Sequence, residues 1–145
     1  MAEPEGQAAP ATGGCLCGAV RYRVDGPLRP VIACHCEQCR RTSGPHVAAT
    51  ACAPGDLTLI DERGLTWFAS SDVAERGFCR VCGGNLFYRR RDPTAAPLSI
   101  MAGTLDRPSG LKTAFHIFTA GKADYYDIAD DVPRRAHGID GDPVA

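Results

Sequence analysis

The sequence predicts an all-β domain, mainly antiparallel, with one short helix and two zinc sites. Short strand-like runs recur along the chain, turn residues divide them at close intervals, and seven of the eight cysteines fall into three tight clusters. With 145 residues and an ordinary apolar fraction, the chain suits one compact domain, so metal is not needed merely for want of a core.

Residues 1–12 are rich in Ala, Pro, Gly and Glu and read as a disordered tail, with neither the basic start nor the apolar stretch of an export signal. The domain is expected over 13–133 and a second tail over 134–145. In residues 19–24, Val20, Tyr22 and Val24 alternate with polar neighbours and predict a half-buried strand, which Asp25-Gly26-Pro27 ends. Cys34 lies on a strand end running into a short helix over 37–42, stopped by Gly44-Pro45. Further strands are expected over 46–52, 57–60, 65–69, 73–78, 85–89, 98–101 and 115–118. Pro54-Gly55-Asp56, residues 61–64, Asp92-Pro93 and Asp106-Arg107-Pro108 supply turns between them. There is no internal repeat, and no run approaches the about 18 apolar residues of a membrane span.

A chain without an export signal is expected in the cytoplasm, where thiols stay reduced and clustered cysteines serve metals more often than disulfides. Seven thiolates and two Zn²⁺ per chain would take the formal charge to about −4, which disfavours a nucleic-acid partner. The runs Arg40-Arg41 and Arg89-Arg90-Arg91 are too short for a phosphate footprint. Nothing points to a membrane partner, and oligomeric state has no sequence signal.

Cys15 and Cys17 lie two apart, a spacing that on a strand puts both sulfurs on one face. Cys79 and Cys82, followed by Gly83-Gly84, have the spacing of a zinc knuckle, in which a glycine supplies the positive φ of the turn. Together they offer four sulfurs, the number of a closed structural zinc site. Cys34, Cys36 and Cys39 offer three, which leaves a coordination position open as catalytic zinc does. An incoming thiol would suit that position, and a carbonyl oxygen could be polarised there. The alternative is that Cys52 closes the second site; its apolar neighbourhood, residues 47–53, suits a packed thiol better.

His35 alternates away from its flanking cysteines and reads as supporting or surface rather than ligating. His46 reads as a surface residue within reach of the site, His116 as a strand residue and His137 as part of the tail. No pair of histidines has metal-binding spacing.

Three blocks then carry a resemblance: residues 14–22, from Gly14-Cys15-Leu16-Cys17-Gly18; residues 34–44, from Cys34-His35-Cys36-Glu37-Gln38-Cys39; and residues 78–86, around Cys79-Arg80-Val81-Cys82-Gly83-Gly84. Together they resemble the glutathione-dependent formaldehyde-activating enzyme family, whose domain also occurs in centromere protein V. Residues 101–106, His116-Ile117-Phe118, Lys122 and residues 125–128 resemble later blocks of the same family. The resemblance implies an Mss4-like fold, structural zinc on Cys15, Cys17, Cys79 and Cys82, and catalytic zinc on Cys34, Cys36 and Cys39. It also implies carbon–sulfur lyase chemistry, in which glutathione or a similar small thiol adds to formaldehyde or another small aldehyde, or the reverse. Arg40, Arg41 and Lys122 are candidates to neutralise substrate carboxylates. The competing expectation is a zinc-stabilised binding module of the same fold with no chemistry. A methionine sulfoxide reductase is disfavoured, because it wants a late reactive cysteine and none follows Cys82.

Overall fold

The structure is a computed structural model that describes residues 10–92, 95 and 97–138. Its strands are β1 (Ala11–Gly14), β2 (Arg21–Val24), β3 (Val31–Cys34), β4 (Val47–Cys52), β5 (Leu57–Asp61), β6 (Leu65–Ala69), β7 (Ala74–Cys79), β8 (Asn85–Arg90), β9 (Leu98–Met101) and β10 (Thr113–Ile117). The helix α1 spans Glu37–Ser43. A small sheet has the order β1-β2-β5, and a seven-stranded sheet runs β10-β3-β4-β9-β8-β7-β6. Among the pairings of named strands in the described residues only that of β10 with β3 is parallel, so the expected fold class is what the structure has: mainly antiparallel β with one short helix. Among the described residues no helix is long and apolar enough to cross a membrane.

The alternation in β2 sets the packing of the two sheets. Tyr22 and Val24 are buried while Arg23 is exposed. Tyr22 meets Phe87 of β8 edge-on at a centroid distance of 5.5 Å, and its hydroxyl pairs with Thr104 Oγ1 at 2.7 Å. Around this pair lie Val20, Val24, Cys52, Leu86, Leu98 and Ile100, which form the main core between the sheets. A second, smaller cluster gathers Val47 and Ala49 of β4 and Met101 of β9 beneath Cys36 and Cys39. Burial of such side chains is worth about 1.5–3 kcal/mol each for the larger ones, so the main core carries most of the hydrophobic stabilisation.

Three segments differ from the sequence expectation. β1 starts inside the stretch read as tail: Ala11 and Thr12 pair with Val24 and Arg23, and the Thr12 hydroxyl donates to Asp106 at 2.6 Å. β3, of which the sequence reading gave only the end at Cys34, has three consecutive buried residues, Val31, Ile32 and Ala33, so both of its faces are covered, and β4 and β10 flank it within the sheet. At the other end, residues 133–137 run beside β10. The His116 N–H donates to Pro133 O at 2.8 Å, the Arg135 N–H to His116 O at 2.8 Å and the Phe118 N–H to His137 O at 3.0 Å. This segment, mostly within the expected C-terminal tail, covers the outer edge of the large sheet and satisfies backbone groups that an edge strand leaves open. Phe118 itself has φ 55° and ends β10 one residue before the predicted limit. Residues 1–9 and 139–145, the remainder of the two predicted tails, lie outside the described residues.

Candidate metal centre

Cys15 and Cys17 sit in the connection from β1 to β2, a turn rather than the strand their spacing suggested, and Gly18 takes φ 85° to complete it. Cys79 ends β7 and Cys82 stands in the turn to β8. There Gly83 has φ 79° and its N–H donates to Cys79 O at 2.7 Å, the knuckle geometry expected of the spacing. The four sulfurs all lie within 4.8 Å of one another. Cys15 Sγ and Cys17 Sγ are 3.8 Å apart, as are Cys17 Sγ and Cys79 Sγ. A tetrahedron with zinc–sulfur bonds of about 2.3 Å has edges of about 3.8 Å, so the separations of Cys17 from Cys15 and Cys79 match edges of such a site. All eight cysteines are free thiols. Backbone N–H groups of Cys17 and then Gly84 draw the Cys82 thiol down to about 6, and the Val20 N–H donates to Cys15 Sγ at 3.3 Å. Both features favour thiolate, the form that binds metal.

The second group is assembled at the end of β3 and the start of α1. Cys34 closes the strand, Cys36 is the N-cap residue whose Sγ accepts the Cys39 N–H at 3.4 Å, and Cys39 is buried on the inner side of the helix. Their sulfurs converge within 4.8 Å, and among the described residues no fourth cysteine, histidine or carboxylate joins them. Hydrogen bonds from the Cys34 thiol, then the Cys39 thiol, pull Cys36 far below the ordinary thiol range; Cys34, which donates to both, is pushed up. Val47, Ala49 and Met101 back the sulfurs with apolar surface, and Phe118 and Tyr88 pack beside them. On the outer side a groove of about 430 Å³ is lined by Cys36, Glu37, Gln38 and Arg41. Cys52 lies apart in the main core, where burial raises its thiol to about 11.

The candidate cations take different places. Arg41 is 70% exposed and pairs with Glu37 at 2.9 Å at the lip of the groove. Arg40 donates from Nε to Gly121 O at 3.3 Å, and Lys122 Nζ donates to Tyr126 O at 2.7 Å, so Lys122 is engaged by the backbone. A cation not singled out from sequence, Arg76 of β7, reaches the sulfurs from beneath: it is 4% exposed and its Nη2 donates to Gln38 Oε1 at 3.2 Å.

The histidines meet in a cluster that the sequence reading missed. His35 is fully buried and shares a hydrogen bond with His116, Nε2 to Nδ1 at 2.9 Å, while His116 Nε2 faces Asp130 Oδ2 at 3.1 Å. The His46 ring lies 4.7 Å from that of His35, and Tyr126 stacks on His35 at 6.0 Å. Burial, aided by the neighbouring His46 and His116, lowers His35 to about 4. His35 therefore lies inside the fold rather than at the surface, and half-buried His46 is no surface residue either. The signal available was weak: His35 and His116 are 81 residues apart, and only the parallel pairing of β10 with β3 brings them together.

A family model described as glutathione-dependent formaldehyde-activating enzyme matches residues 10–121, a span that holds all seven clustered cysteines. An uncharacterized lyase of Schizosaccharomyces pombe is 32% identical over 76 residues, which make up 52% of this chain and 55% of that protein. The match thus spans about half the length of this curated relative. Among solved structures, a Rhodobacter sphaeroides protein aligns with a TM-score of 0.53 and 27% identity, covering 66% of this chain and 88% of that one.

Proposed function

The chain belongs to the glutathione-dependent formaldehyde-activating enzyme family, and from that premise we propose that it is a carbon–sulfur lyase or synthase. In this reading a small thiol of the glutathione type adds to an aldehyde such as formaldehyde, or the adduct is cleaved. The observation that carries it is the convergence of three sulfurs, Cys34, Cys36 and Cys39, beside a groove, against four sulfurs in the other group. Three protein donors leave room for an outside molecule where four do not. We assign Zn²⁺ to both groups, two per chain, structural on Cys15, Cys17, Cys79 and Cys82 and catalytic on the other three. Zinc held by three sulfurs supplies a Lewis acid that favours the thiolate form of an incoming thiol and polarises an aldehyde oxygen.

The chain's own residues supply the rest. The Cys39 N–H fixes Cys36 at the helix start, and Val47, Ala49 and Met101 exclude water from behind the sulfurs, which strengthens every charge interaction there. A groove of about 430 Å³ falls within the range of small-ligand pockets. Arg41 at its lip holds Glu37 through an exposed pair of the kind worth less than about 1 kcal/mol, so it can turn to a substrate carboxylate at small cost. In the condensation the thiol sulfur bonds to the carbonyl carbon, the C=O π pair moves to oxygen, and the proton lost by the thiol ends on that oxygen. Holding sulfur and carbon together in this orientation supplies much of the rate.

Exchange NMR with formaldehyde and a panel of small thiols tests the reading. The zinc-loaded protein is expected to accelerate adduct exchange over buffer, and Cys36→Ser to abolish the acceleration. A protein that accelerates no member of the panel, and whose cobalt-substituted spectrum ignores added thiol, is the zinc-stabilised binding module instead.

A further inference from the structure

We propose that Arg76 is the counter-charge of the three-sulfur site, a positioning residue that offsets the negative charge of the ion-bound sulfurs and draws an anionic fourth donor toward them. The inference rests on the reading of Cys34, Cys36 and Cys39 as metal ligands.

A guanidinium stays charged throughout the accessible pH range, and burying it is costly unless an anion or several acceptors lie close. Arg76 is 4% exposed. Among the described residues no carboxylate lies within ion-pair range of it, and the neighbouring Glu75 is turned to the opposite face of β7, where it pairs with Arg89 at 2.7 Å. What Arg76 does face is sulfur. Its Nη2 lies 3.8 Å from Cys39 Sγ and 3.2 Å from Gln38 Oε1, and its Cζ stands 4.9 Å from the centre of the Tyr88 ring. Its Nε–H is buried with no hydrogen-bond partner, so donor capacity remains on the side chain. Gln38 in turn donates to Ser70 O at 3.3 Å, which fixes the amide that orients the guanidinium.

Charge accounting gives this placement a purpose. Three thiolates around a divalent ion carry a net charge of about −1, and a fourth thiolate takes it to about −2. In surroundings walled by Val47, Ala49 and Met101 such a charge is poorly solvated, and a fixed cation a few ångströms away stabilises both states, the second more than the first. The four-sulfur group is more open to solvent, because Cys17 is exposed. Arg76 therefore separates the two groups chemically as well as by donor number: it favours ion retention on three sulfurs and entry of an anionic thiol.

The test uses the full chain, with Arg76→Gln and Arg76→Lys, and reads zinc occupancy by native mass spectrometry and affinity by competition with a chelator. Cobalt-substituted samples titrated with mercaptoethanol report entry of a thiol through the charge-transfer band. The expected result is that Arg76→Gln keeps the four-sulfur ion, holds the second at least about tenfold more weakly, and needs at least about tenfold more thiol to shift the band. Arg76→Lys, which keeps the charge and loses the fork, is expected to stay within about threefold of wild type. Equal affinities in wild type and Arg76→Gln overturn the inference and leave the metal reading standing, whereas a wild-type chain that holds one ion overturns both. Should Arg76→Gln fail to fold, Arg76→Lys decides: retention of the second ion supports the counter-charge, and its loss overturns it in favour of hydrogen bonding alone.

Discussion

His116 is held from two sides, by His35 within the sheet and by the half-exposed Asp130 at its margin. Removing its ring leaves His35 Nε2 unpaired in a fully buried position, and an orphaned buried polar atom costs about 1–3 kcal/mol. His116→Ala is therefore expected to lower the unfolding free energy from a urea titration by that amount, and Asp130→Asn by clearly less because water can replace its carboxylate. Equal losses in the two variants would show that the buried pair is not the part that matters. The contrast with the cysteines explains what a sequence can reveal at this scale. Cysteine intervals of one and two intervening residues are local, and the geometry of chelation makes them legible before any fold is known. Arg76 and His116 carry no such interval. Their partners arrive through β7 packing under α1 and β10 pairing with β3, so each reads in sequence as an ordinary strand residue.

At the scale of elements, alternation and turn residues located β2 and β4 to β10 to within a few residues, and the helix to within one. What they did not reveal is pairing that rests on the backbone alone. β1 is made of Ala, Thr and two glycines, and residues 133–137 have no periodic pattern, yet both satisfy the N–H and C=O groups of neighbouring strands. One turn is bound directly to the four-sulfur group. Gly64, between β5 and β6, donates its N–H to Ala19 O at 3.0 Å and accepts from the Arg80 N–H at 2.8 Å. A Cβ there would stand 2.8 Å from both Ala19 Cβ and Cys79 Sγ, closer than real atoms approach. Gly64→Ala is expected to cost about 1–3 kcal/mol through this overpacking and to weaken the four-sulfur group while sparing the other. Gly55→Ala, where an added Cβ meets nothing within 4 Å, is the control and should be close to neutral. Native mass spectrometry under chelator competition distinguishes them, and loss of the three-sulfur ion first in Gly64→Ala would contradict the placement.

Across the whole molecule the two cysteine groups do different mechanical work. Cys15 and Cys17 hang from the small sheet and Cys79 and Cys82 from the large one, so an ion on all four ties the sheets together across 62 residues of chain. Closing a loop of that length costs about 4 kcal/mol of chain entropy, a large part of the 5–15 kcal/mol by which domains are usually stable. Tyr22 against Phe87 makes the same connection through apolar contact, but the core it anchors is modest. The three-sulfur group spans only the end of β3 and the first turn of α1, and its ion closes a local loop whose ends already meet through the Cys39 N–H bond to Cys36. Removal of the two ions should therefore be unequal in its consequences. In a stepwise chelator titration followed by native mass spectrometry and far-ultraviolet circular dichroism, loss of the first ion is expected to leave the β signal and the unfolding midpoint nearly unchanged. Loss of the second should coincide with unfolding. Cys36→Ser, which disables only the three-sulfur group, should then fold with one ion and keep the wild-type unfolding free energy to within about 1 kcal/mol, while Cys82→Ser should not fold at all at the same temperature. A Cys82→Ser chain with native circular dichroism would mean that the apolar contacts between the sheets hold the fold unaided.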